Sequence, residues 1–423
     1  MQIIKLSTMT ITLLLATYVE AGDILSGQSN TSTSILSVVV GGENNHNNVD
    51  STGNSDYSTI GGGKANNANH SGYSVISGGS NNGLSSALYG VVSGGYNNVG
   101  IKSFVTISGG KEHRAEGAYS TIAGGSKNKT TGTVSTISGG FRNLTSGEAS
   151  TVGGGQDNNS TGKYSFSVGN KNLASGDWSV AMGYQNQATN LESVALGREN
   201  ISSGTHSFSH GIRNKALGHN SVAWGFYSEA HGFTSFAFGK RVRANKDGTV
   251  IFGDTNGGET NSSLGTFPLN ERSADQKDTF YGFFDNGYKL YTTASINGSG
   301  VELNHGDGAW NTLSDKTKKE NYQKIDKQKV LDKLIALPME KWNYTAQNDK
   351  IKHIGPYAQD FNKAYGLGDG KLTISTIDSD GIAFASIQAL AERNKQLNQK
   401  NKLLESKLSN LESRFSKLEK KLY

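Results

Sequence analysis

The chain has 423 residues, with 55 Gly, 3 Pro, no Cys and a mean hydropathy of −0.50. Abundant glycine with so little proline excludes a collagen-like helix, and the absence of cysteine excludes disulfide scaffolds and thiolate metal sites. The formal net charge of +5 is uneven, at −2 over residues 22–314 and +7 over residues 315–423. The lysines of the basic part are scattered among acids, which indicates a solvated surface and no nucleic-acid partner.

The first 21 residues have the pattern of a secretory signal peptide. Lys5 supplies a positive charge near the N-terminus, Met9–Val19 is mostly apolar, and residues 19–21 resemble a small-residue cleavage site. The apolar run is too short for a permanent membrane span. We therefore expect a mature chain from about Gly22 that is exported to the cell surface or outer membrane, or secreted, without an integral membrane segment.

Two repeat registers follow along the chain. From residue 57 a phrase like Y-S-T-I-x-G-G recurs every 15 to 16 residues, and from Ser165 a phrase S-V-A-x-G recurs every 14. Such a unit is long enough for two short strands and two turns, so the spacing predicts one coil of a β-solenoid per repeat. Period-2 alternation predicts that Val180 and Met182 are buried by stacking while Ala181 faces the other side. The first register has a β-branched column at Ile60, Ile76, Val92, Ile107, Ile122, Ile137 and Val152.

The unit S-V-A-[MLWF]-G-x-x-x-x-A-x-G resembles the head repeat of trimeric autotransporter adhesins, the YadA-like heads. The resemblance covers residues 165–253 strictly and reaches back to residue 57 or Val40 in looser form, and it implies a left-handed parallel β-roll of three chains. His210 is polar where the other repeats have an apolar residue before the glycine. Three copies could bind a metal or an anion, but a hydrogen-bonded structural histidine is the favoured interpretation. We expect no cofactor and no metal.

Residues 254–313 leave the repeat. Two aromatic, strand-like runs, Phe280–Phe284 and Tyr288–Thr292, flank Asp285-Asn286-Gly287, which is a strong hairpin signal. We interpret this part as a β-rich neck between the roll and a stalk. Farther on, Lys327–Ala336 is a predicted helix that ends before Pro338.

Residues 387–423 form an unbroken heptad run, which predicts a parallel coiled coil. Two asparagines at a positions would fix the register at some cost in stability. The pattern does not set the number of strands, but a trimeric head favours three. The predicted core residues are Ile387, Leu390, Asn394, Leu397, Asn401, Leu404, Leu408 and Leu411.

The segment that begins at Ser314 reads S-D-K-T-K-K-E-N and resembles the S-D-x-x-x-K-E-N opening of endosialidase-type intramolecular chaperones. Similar strings follow at residues 342–344, 353–361, 377–378 and 381–383, so the resemblance spans about residues 310–404. It implies a domain that trimerises a β-fibre and then releases itself by autoproteolysis through a Ser–Lys dyad. By this resemblance Ser314 is the nucleophile and Lys319 the general base. Lys318 and Tyr322 stand where apolar residues are common, and Lys318 leaves the choice of base open.

The predicted cut flanks Ser314. Attack by Ser314 on the Leu313 carbonyl passes through a five-membered ring, whereas attack on its own carbonyl would need a strained four-membered ring. The chemistry favours the Leu313–Ser314 bond, while a cut at Ser314–Asp315 would need another arrangement of groups. The same Ser-Asp pair could also serve as a helix N-cap.

The sequence thus predicts a mostly β chain: a Gly-rich parallel β-solenoid trimer, a small α+β chaperone domain and a C-terminal parallel coiled coil. The expected boundaries are 1–21 (signal peptide), 22–56 (Ser/Asn-rich segment), 57–253 (head repeats), 254–313 (neck), 314–386 (chaperone) and 387–423 (coiled coil). The leading hypothesis is an exported, adhesin-like homotrimeric fibre whose head could bind a host-surface or glycan ligand. The alternative is a phage-type tail fibre or tailspike with a receptor-binding or glycan-hydrolysing head, although the repeats supply only scattered acids. A membrane-bound transcription-factor precursor is a third hypothesis, but the chain lacks both a membrane span and a DNA-binding motif.

Overall fold

A computed structural model describes residues 23–24, 27–33, 36–48, 57–254, 276–284, 286–291, 300–368 and 370–422. The predicted signal peptide, and Asp285 of the predicted hairpin, lie outside the described residues. The chain divides into two compact units at the boundary between Leu313 and Ser314.

The first unit is a parallel β-solenoid, as predicted. Strands alternate along the chain between two sheets, and each strand pairs with the equivalent strand one coil later, so that Val180 lies beside Val194 and Val194 beside Phe208. Within the described residues the first sheet contains 17 strands. They are Asp23–Ile24, Val38–Val39, Thr59–Ile60, Val75–Ile76, Val91–Val92, Thr106–Ile107, Thr121–Ile122, Thr136–Ile137, Thr151–Gln156, Phe166–Asn170, Val180–Tyr184, Val194–Arg198, Phe208–Ile212, Val222–Phe226, Phe236–Lys240, Val250–Asp254 and Phe280–Phe284.

The second sheet of the solenoid contains 15 strands in the described part of the chain. Most of them are two residues long, with the second residue buried. They are Thr31–Ser32, His46–Asn48, Asn67–Asn69, Gly83–Ser85, Val99–Gly100, Arg114–Ala115, Lys129–Thr130, Leu144–Thr145, Asn159–Ser160, Leu173–Ala174, Gln187–Ala188, Ile201–Ser202, Lys215–Ala216, Glu229–Ala230 and Arg243–Ala244.

The change of repeat length appears in the structure as a β-bulge. Thr151 pairs with Phe166, fifteen residues later, whereas Gly155 pairs with Gly169, fourteen residues later. A bulge between Val152 and Gly155 takes up the extra residue. The two parts of the solenoid therefore share one continuous sheet although their coils differ in length.

The interior of the solenoid corrects the prediction for the S-V-A-x-G strands. The β-branched column of the first register is fully buried. It continues in register through Ser167 to Ala181, which is also fully buried, whereas Met182 is 40% exposed. The prediction that Val180 and Met182 face the interior is therefore wrong. In most of the 14-residue coils the inward position of this strand holds Ser or Ala, whereas the neighbouring outward positions hold larger side chains.

A ladder of side-chain amides connects the coils. The Asn186 side chain donates to the carbonyls of Met182 and Gly197, both at 2.7 Å, and its oxygen accepts the backbone N–H of Asn200 at 3.0 Å. Equivalent residues repeat this arrangement from coil to coil, so each buried asparagine side chain links the turn of its own coil to the coils on both sides. The ladder contains Asn30, Asn45, Asn66, Asn82, Asn98, His113, Asn128, Asn143, Asn158, Asn172, Asn186, Asn200, Asn214 and Ser228.

The aromatic runs of the predicted neck form strands but not a hairpin with each other. Phe280–Phe284 pairs in parallel with Val250–Asp254 and extends the solenoid. Tyr288–Tyr291 instead pairs antiparallel with Gly300–Leu303, and Gly300–Leu303 in turn pairs antiparallel with Asn311–Thr312. The hairpin prediction is wrong because the first run stacks on the preceding coil, where the Phe280 ring lies 5.8 Å from that of Phe252.

The second unit contains three α-helices, which we number α1 to α3, within the described residues. A small apolar core, formed by Leu337, Phe361 and Ile382, joins them. Helix α1 ends before Pro338, as predicted, and packs against α3. The elements are a 3-10 turn Lys316–Lys318, α1 Lys327–Ala336, strand Glu340–Trp342, strand His353–Gly355, α2 Ala358–Tyr365 and α3 Thr376–Leu422.

Helix α3 is 47 residues long and contains the whole described part of the heptad run. The apolar core positions of the heptads, such as Leu404, are exposed in the single chain, while Ala385 and Ala389 near the start of the helix are buried. This long, one-sided apolar seam is compatible with a coiled coil. None of the described helices is long and apolar enough to cross a membrane.

Candidate functional site

The predicted dyad residues lie at the two ends of one short turn. The 3-10 turn Lys316–Lys318 separates Ser314 from Lys319, which is the C-cap residue of the turn. The Lys319 Nζ donates a hydrogen bond to the Ser314 Oγ at 2.5 Å. The turn therefore brings together the two groups that a serine nucleophile and its lysine base require.

Asp315 fixes the start of this turn. Its side-chain oxygen accepts the backbone N–H of Thr317 at 2.8 Å, as an N-cap does. That hydrogen bond lowers the pKa of the Asp315 carboxyl, because it stabilises the charged form. The N-cap interpretation of the Ser-Asp pair and the dyad geometry thus coexist in the same segment.

Lys318, the other candidate base, has a different position. Its backbone N–H donates to the carbonyl of Asp315 at 3.1 Å and closes the turn. The side-chain nitrogen that contacts Ser314 belongs to Lys319. The geometry favours Lys319 over Lys318 as the partner of Ser314.

The whole segment is open to solvent in the single chain. Residues 311–326 are all exposed, including Leu313, whose carbonyl precedes Ser314. A lysine accepts a proton only as the neutral amine, and removal of water favours that form. Any such shielding of the dyad would have to come from groups outside this exposed segment.

His353 occupies a position typical of a packing residue, whereas Gln359 is exposed. The His353 Nε2 lies 3.0 Å from the Gln347 side-chain oxygen, and its ring lies 5.0 Å from that of Trp342. Gln359 is in the first turn of α2. The described contacts of His353 involve neither Ser314 nor Lys319.

Two segments of the chain match known families. Residues 314–367 match the family described as the chaperone of endosialidase. Residues 160–185 and 174–200 match two copies of the YadA head domain repeat. The chain carries both, in the predicted order. No curated protein matches the chain significantly.

The chaperone-of-endosialidase segment begins at Ser314, the predicted nucleophile and the first residue of the second compact unit. A cut before Ser314 would therefore separate the two units of the chain.

No cluster of three or more His, Cys, Asp or Glu side chains suited to a metal ion occurs in the described part of the chain.

Two features of the molecule escaped sequence reasoning. The asparagine of the phrase G-G-x-x-N recurs in the printed sequence, but its role as a buried ladder depends on contacts between coils. Tyr322, noted only as a departure from the family pattern, lies with its hydroxyl 2.9 Å from the Lys319 carbonyl. The recurring asparagine was a usable signal, whereas the contact of Tyr322 was not visible in the sequence.

Proposed function

We propose that the chain is an exported homotrimeric fibre whose second unit drives assembly and is then released by autoproteolysis beside Ser314. Ser314 is the nucleophile and Lys319 the general base. The observation that carries this proposal is the 2.5 Å contact between Lys319 Nζ and Ser314 Oγ at the first residue of the chaperone-of-endosialidase segment.

The reaction follows from these two side chains. Neutral Lys319 takes the Ser314 hydroxyl proton, and Oγ attacks the Leu313 carbonyl carbon through a five-membered ring. The Leu313–Ser314 C–N bond breaks, the Ser314 nitrogen takes the proton from Lys319, and Leu313 becomes an ester of Ser314 Oγ. Water then hydrolyses this ester, which leaves a carboxylate on Leu313 and a free amino group on Ser314. We propose cleavage of this bond and not of Ser314–Asp315, because attack on the Ser314 carbonyl would need a strained four-membered ring.

The outer face of the solenoid supports self-association. In the 14-residue coils the outward positions of the first sheet are large and apolar, and Met182, Trp224 and Phe238 are exposed. In the longer coils the equivalent positions are mostly Thr, Ser or Gly, as at Thr121 and Thr136, with Val75 and Val91 among the exceptions. A contiguous apolar face is costly in water, so we propose that copies of the chain pack together along residues 165–253. The outward residues are Phe166, Val168, Val180, Met182, Val194, Leu196, Phe208, His210, Val222, Trp224, Phe236, Phe238, Val250 and Phe252.

Helix α3 supports the same assembly from the other end of the chain. Its apolar a and d positions are exposed, and a heptad seam of this length is stable when it packs against equivalent helices. The match to the YadA head repeat favours three chains.

Folding of the solenoid explains why a chaperone would be useful. Its many near-identical coils offer alternative registers, and a multi-chain parallel sheet is slow to form. A C-terminal coiled coil would align the chains and raise their effective concentration. Release of that unit would then leave a fibre without its assembly template, and thus kinetically stable.

The acidic residues of the solenoid are relevant to the alternative of a phage-type fibre with a glycan-hydrolysing head. A glycan-hydrolysing head would need a pair of free acids about 5 to 10 Å apart. Glu229, the one buried acid among the described residues, is bound by His231, Lys215 and Arg243 at 2.6 to 3.0 Å. The hydrogen bond from His231, together with the charges of Lys215 and Arg243, lowers the pKa of Glu229 to about 2, so this carboxylate is engaged in ion pairs. Glu229 is therefore not a free acid of the kind that glycan hydrolysis requires.

Intact mass and denaturing gels of the purified chain test the proposal. Wild type should split beside Ser314, whereas Ser314→Ala and Lys319→Ala should remain whole. Lys318→Ala is the matched control and should split like wild type. A wild-type chain that stays whole in a folded trimer would show that the second unit is a permanent stalk. Splitting of Lys319→Ala with loss of splitting in Lys318→Ala would move the base to Lys318.

A further inference from the structure

The turn between Ser314 and Lys319 is held at both ends. At its start, the Asp315 side chain accepts from Thr317. At its end, the Tyr322 hydroxyl lies 2.5 Å from the Lys316 carbonyl and 2.9 Å from the Lys319 carbonyl. The single hydroxyl proton is shared between these two acceptors, so Tyr322 ties the backbone of Lys319 to the beginning of the turn.

The chain reverses sharply to bring the tyrosine back. Asn321 has a φ of 58°, in the left-handed region that asparagine tolerates better than most residues. This conformation directs the next residue, Tyr322, toward the carbonyls of the preceding turn. The contact is therefore built into the local backbone of the segment.

The backbone N–H of Lys319 also donates to the Lys316 carbonyl at 3.2 Å, and the Tyr322 hydroxyl adds a second link through the Lys319 carbonyl. The residues around it are exposed, so packing does not hold its backbone. A lysine side chain is long and flexible, and its amine stays beside Ser314 only if its Cα is held at a suitable distance. A small displacement of a catalytic group reduces the rate strongly, since proximity supplies much of the acceleration.

We propose that Tyr322 is a positioning residue that holds Lys319 against Ser314. This inference rests on the proposed autoproteolysis. It also gives a role to a residue that departs from the family pattern, in which this position is commonly apolar. An apolar residue could not bond the two carbonyls.

Tyr322→Phe removes only the hydroxyl group. Tyr344→Phe is the matched control, because Tyr344 lies in the same unit and is 59% exposed, compared with 63% for Tyr322. We expect Tyr322→Phe to split about tenfold more slowly than wild type, and Tyr344→Phe to split at the wild-type rate. The trimer fraction and thermal midpoint of both variants should equal those of wild type.

Chemical rescue separates positioning from general stability. Added methylamine can act as a replacement base where Lys319 is absent or displaced, so it should accelerate Lys319→Ala and Tyr322→Phe but leave wild type unchanged. A fold defect would not respond to a small amine.

The outcomes separate the two proposals. If wild type does not split, the autoproteolysis and the role of Tyr322 both fall. If wild type splits and Tyr322→Phe splits equally fast, only the role of Tyr322 is overturned. A slower Tyr322→Phe that has also lost the trimer, and that methylamine does not accelerate, overturns the positioning role in favour of a structural one.

Discussion

The backbone N–H of Asn200 donates to the side-chain oxygen of Asn186 at 3.0 Å, one coil earlier in the solenoid. The Asn200 side-chain nitrogen approaches the same oxygen at 3.1 Å. Each coil is thus joined to the next by a buried side chain as well as by strand pairing.

Asn186→Ala should destabilise the solenoid. It removes the side-chain donor to the Met182 and Gly197 carbonyls and the acceptor of the buried Asn200 N–H, and the loss of that buried acceptor costs about 1–3 kcal/mol. The thermal midpoint of the purified fibre, measured at a fixed scan rate, should fall clearly below wild type. Gln187→Ala, at an exposed neighbouring position, should leave the midpoint nearly unchanged. Equal effects of the two changes would contradict the structural role of the ladder.

Gly183→Ala should be more damaging than most glycine substitutions. Gly183 has a φ of 116°, and a Cβ there would lie 2.1 Å from the Gly197 carbonyl oxygen. The coils would have to move apart locally, so we expect loss of soluble fibre or a large fall in the midpoint. Gly124→Ala is the control, because a Cβ there meets no atom within 4 Å. Expression and circular dichroism of the two variants compare them directly, and a well-folded Gly183→Ala would count against the described coil spacing.

His113 makes the stability of the solenoid sensitive to acid. It replaces asparagine in the ladder, is fully buried, and accepts the Asn128 backbone N–H through Nδ1 at 3.1 Å. Burial lowers its pKa from the ordinary value of 6.5, so below about pH 6.5 the unfolded chain binds a proton that the folded chain does not. The free energy of unfolding should therefore be insensitive to this group at higher pH and fall as the pH drops through 6.5.

Thermal midpoints between pH 5 and 8 test the role of His113. His113→Asn should restore the regular ladder, raise the midpoint and flatten its decline toward pH 5. His219→Asn, which removes an exposed histidine, should keep the wild-type slope. An unchanged slope in His113→Asn would show that other groups cause the acid sensitivity.

Leu404→Lys should abolish assembly through α3. Leu404 occupies a d position and Leu403 a c position, although the two are similarly exposed in the single chain, at 52% and 56%. Charges at a d position would be buried in the coiled coil, whereas Leu403→Lys would remain in water. Size-exclusion chromatography with light scattering should give a smaller species, and no splitting beside Ser314, for Leu404→Lys alone. Identical behaviour of the two variants would argue against the assigned heptad register.

Sequence periodicity was sufficient to identify the solenoid and the long helix. A sequence phrase that recurs every 14 to 16 residues indicates structural units of nearly equal length, which a solenoid provides as its coils. A heptad run indicates one apolar face along a helix. Both patterns are local and repeated, so they can be recognised without the tertiary structure. The direction of Ala181 and Met182 was not predictable in this way. Alternation separates the two faces of a strand but does not say which face encloses the interior, and the packing of the two sheets decides that.

The candidate site shows the same division. The ordered string from Ser314 to Asn321 identified Ser314 as the candidate nucleophile. It left Lys319 and Lys318 as the candidate bases. Only the folded turn distinguished Lys319 from Lys318 as the neighbour of Ser314 and placed the Tyr322 hydroxyl on the Lys319 carbonyl. The sequence by itself determined the repeating architecture and the residue types at the site, because these follow from periodicity and from a short contiguous motif. The tertiary structure decided the inward face of the coils, the asparagine ladder and the contacts of Lys319, because each depends on distances between groups that the linear order does not specify.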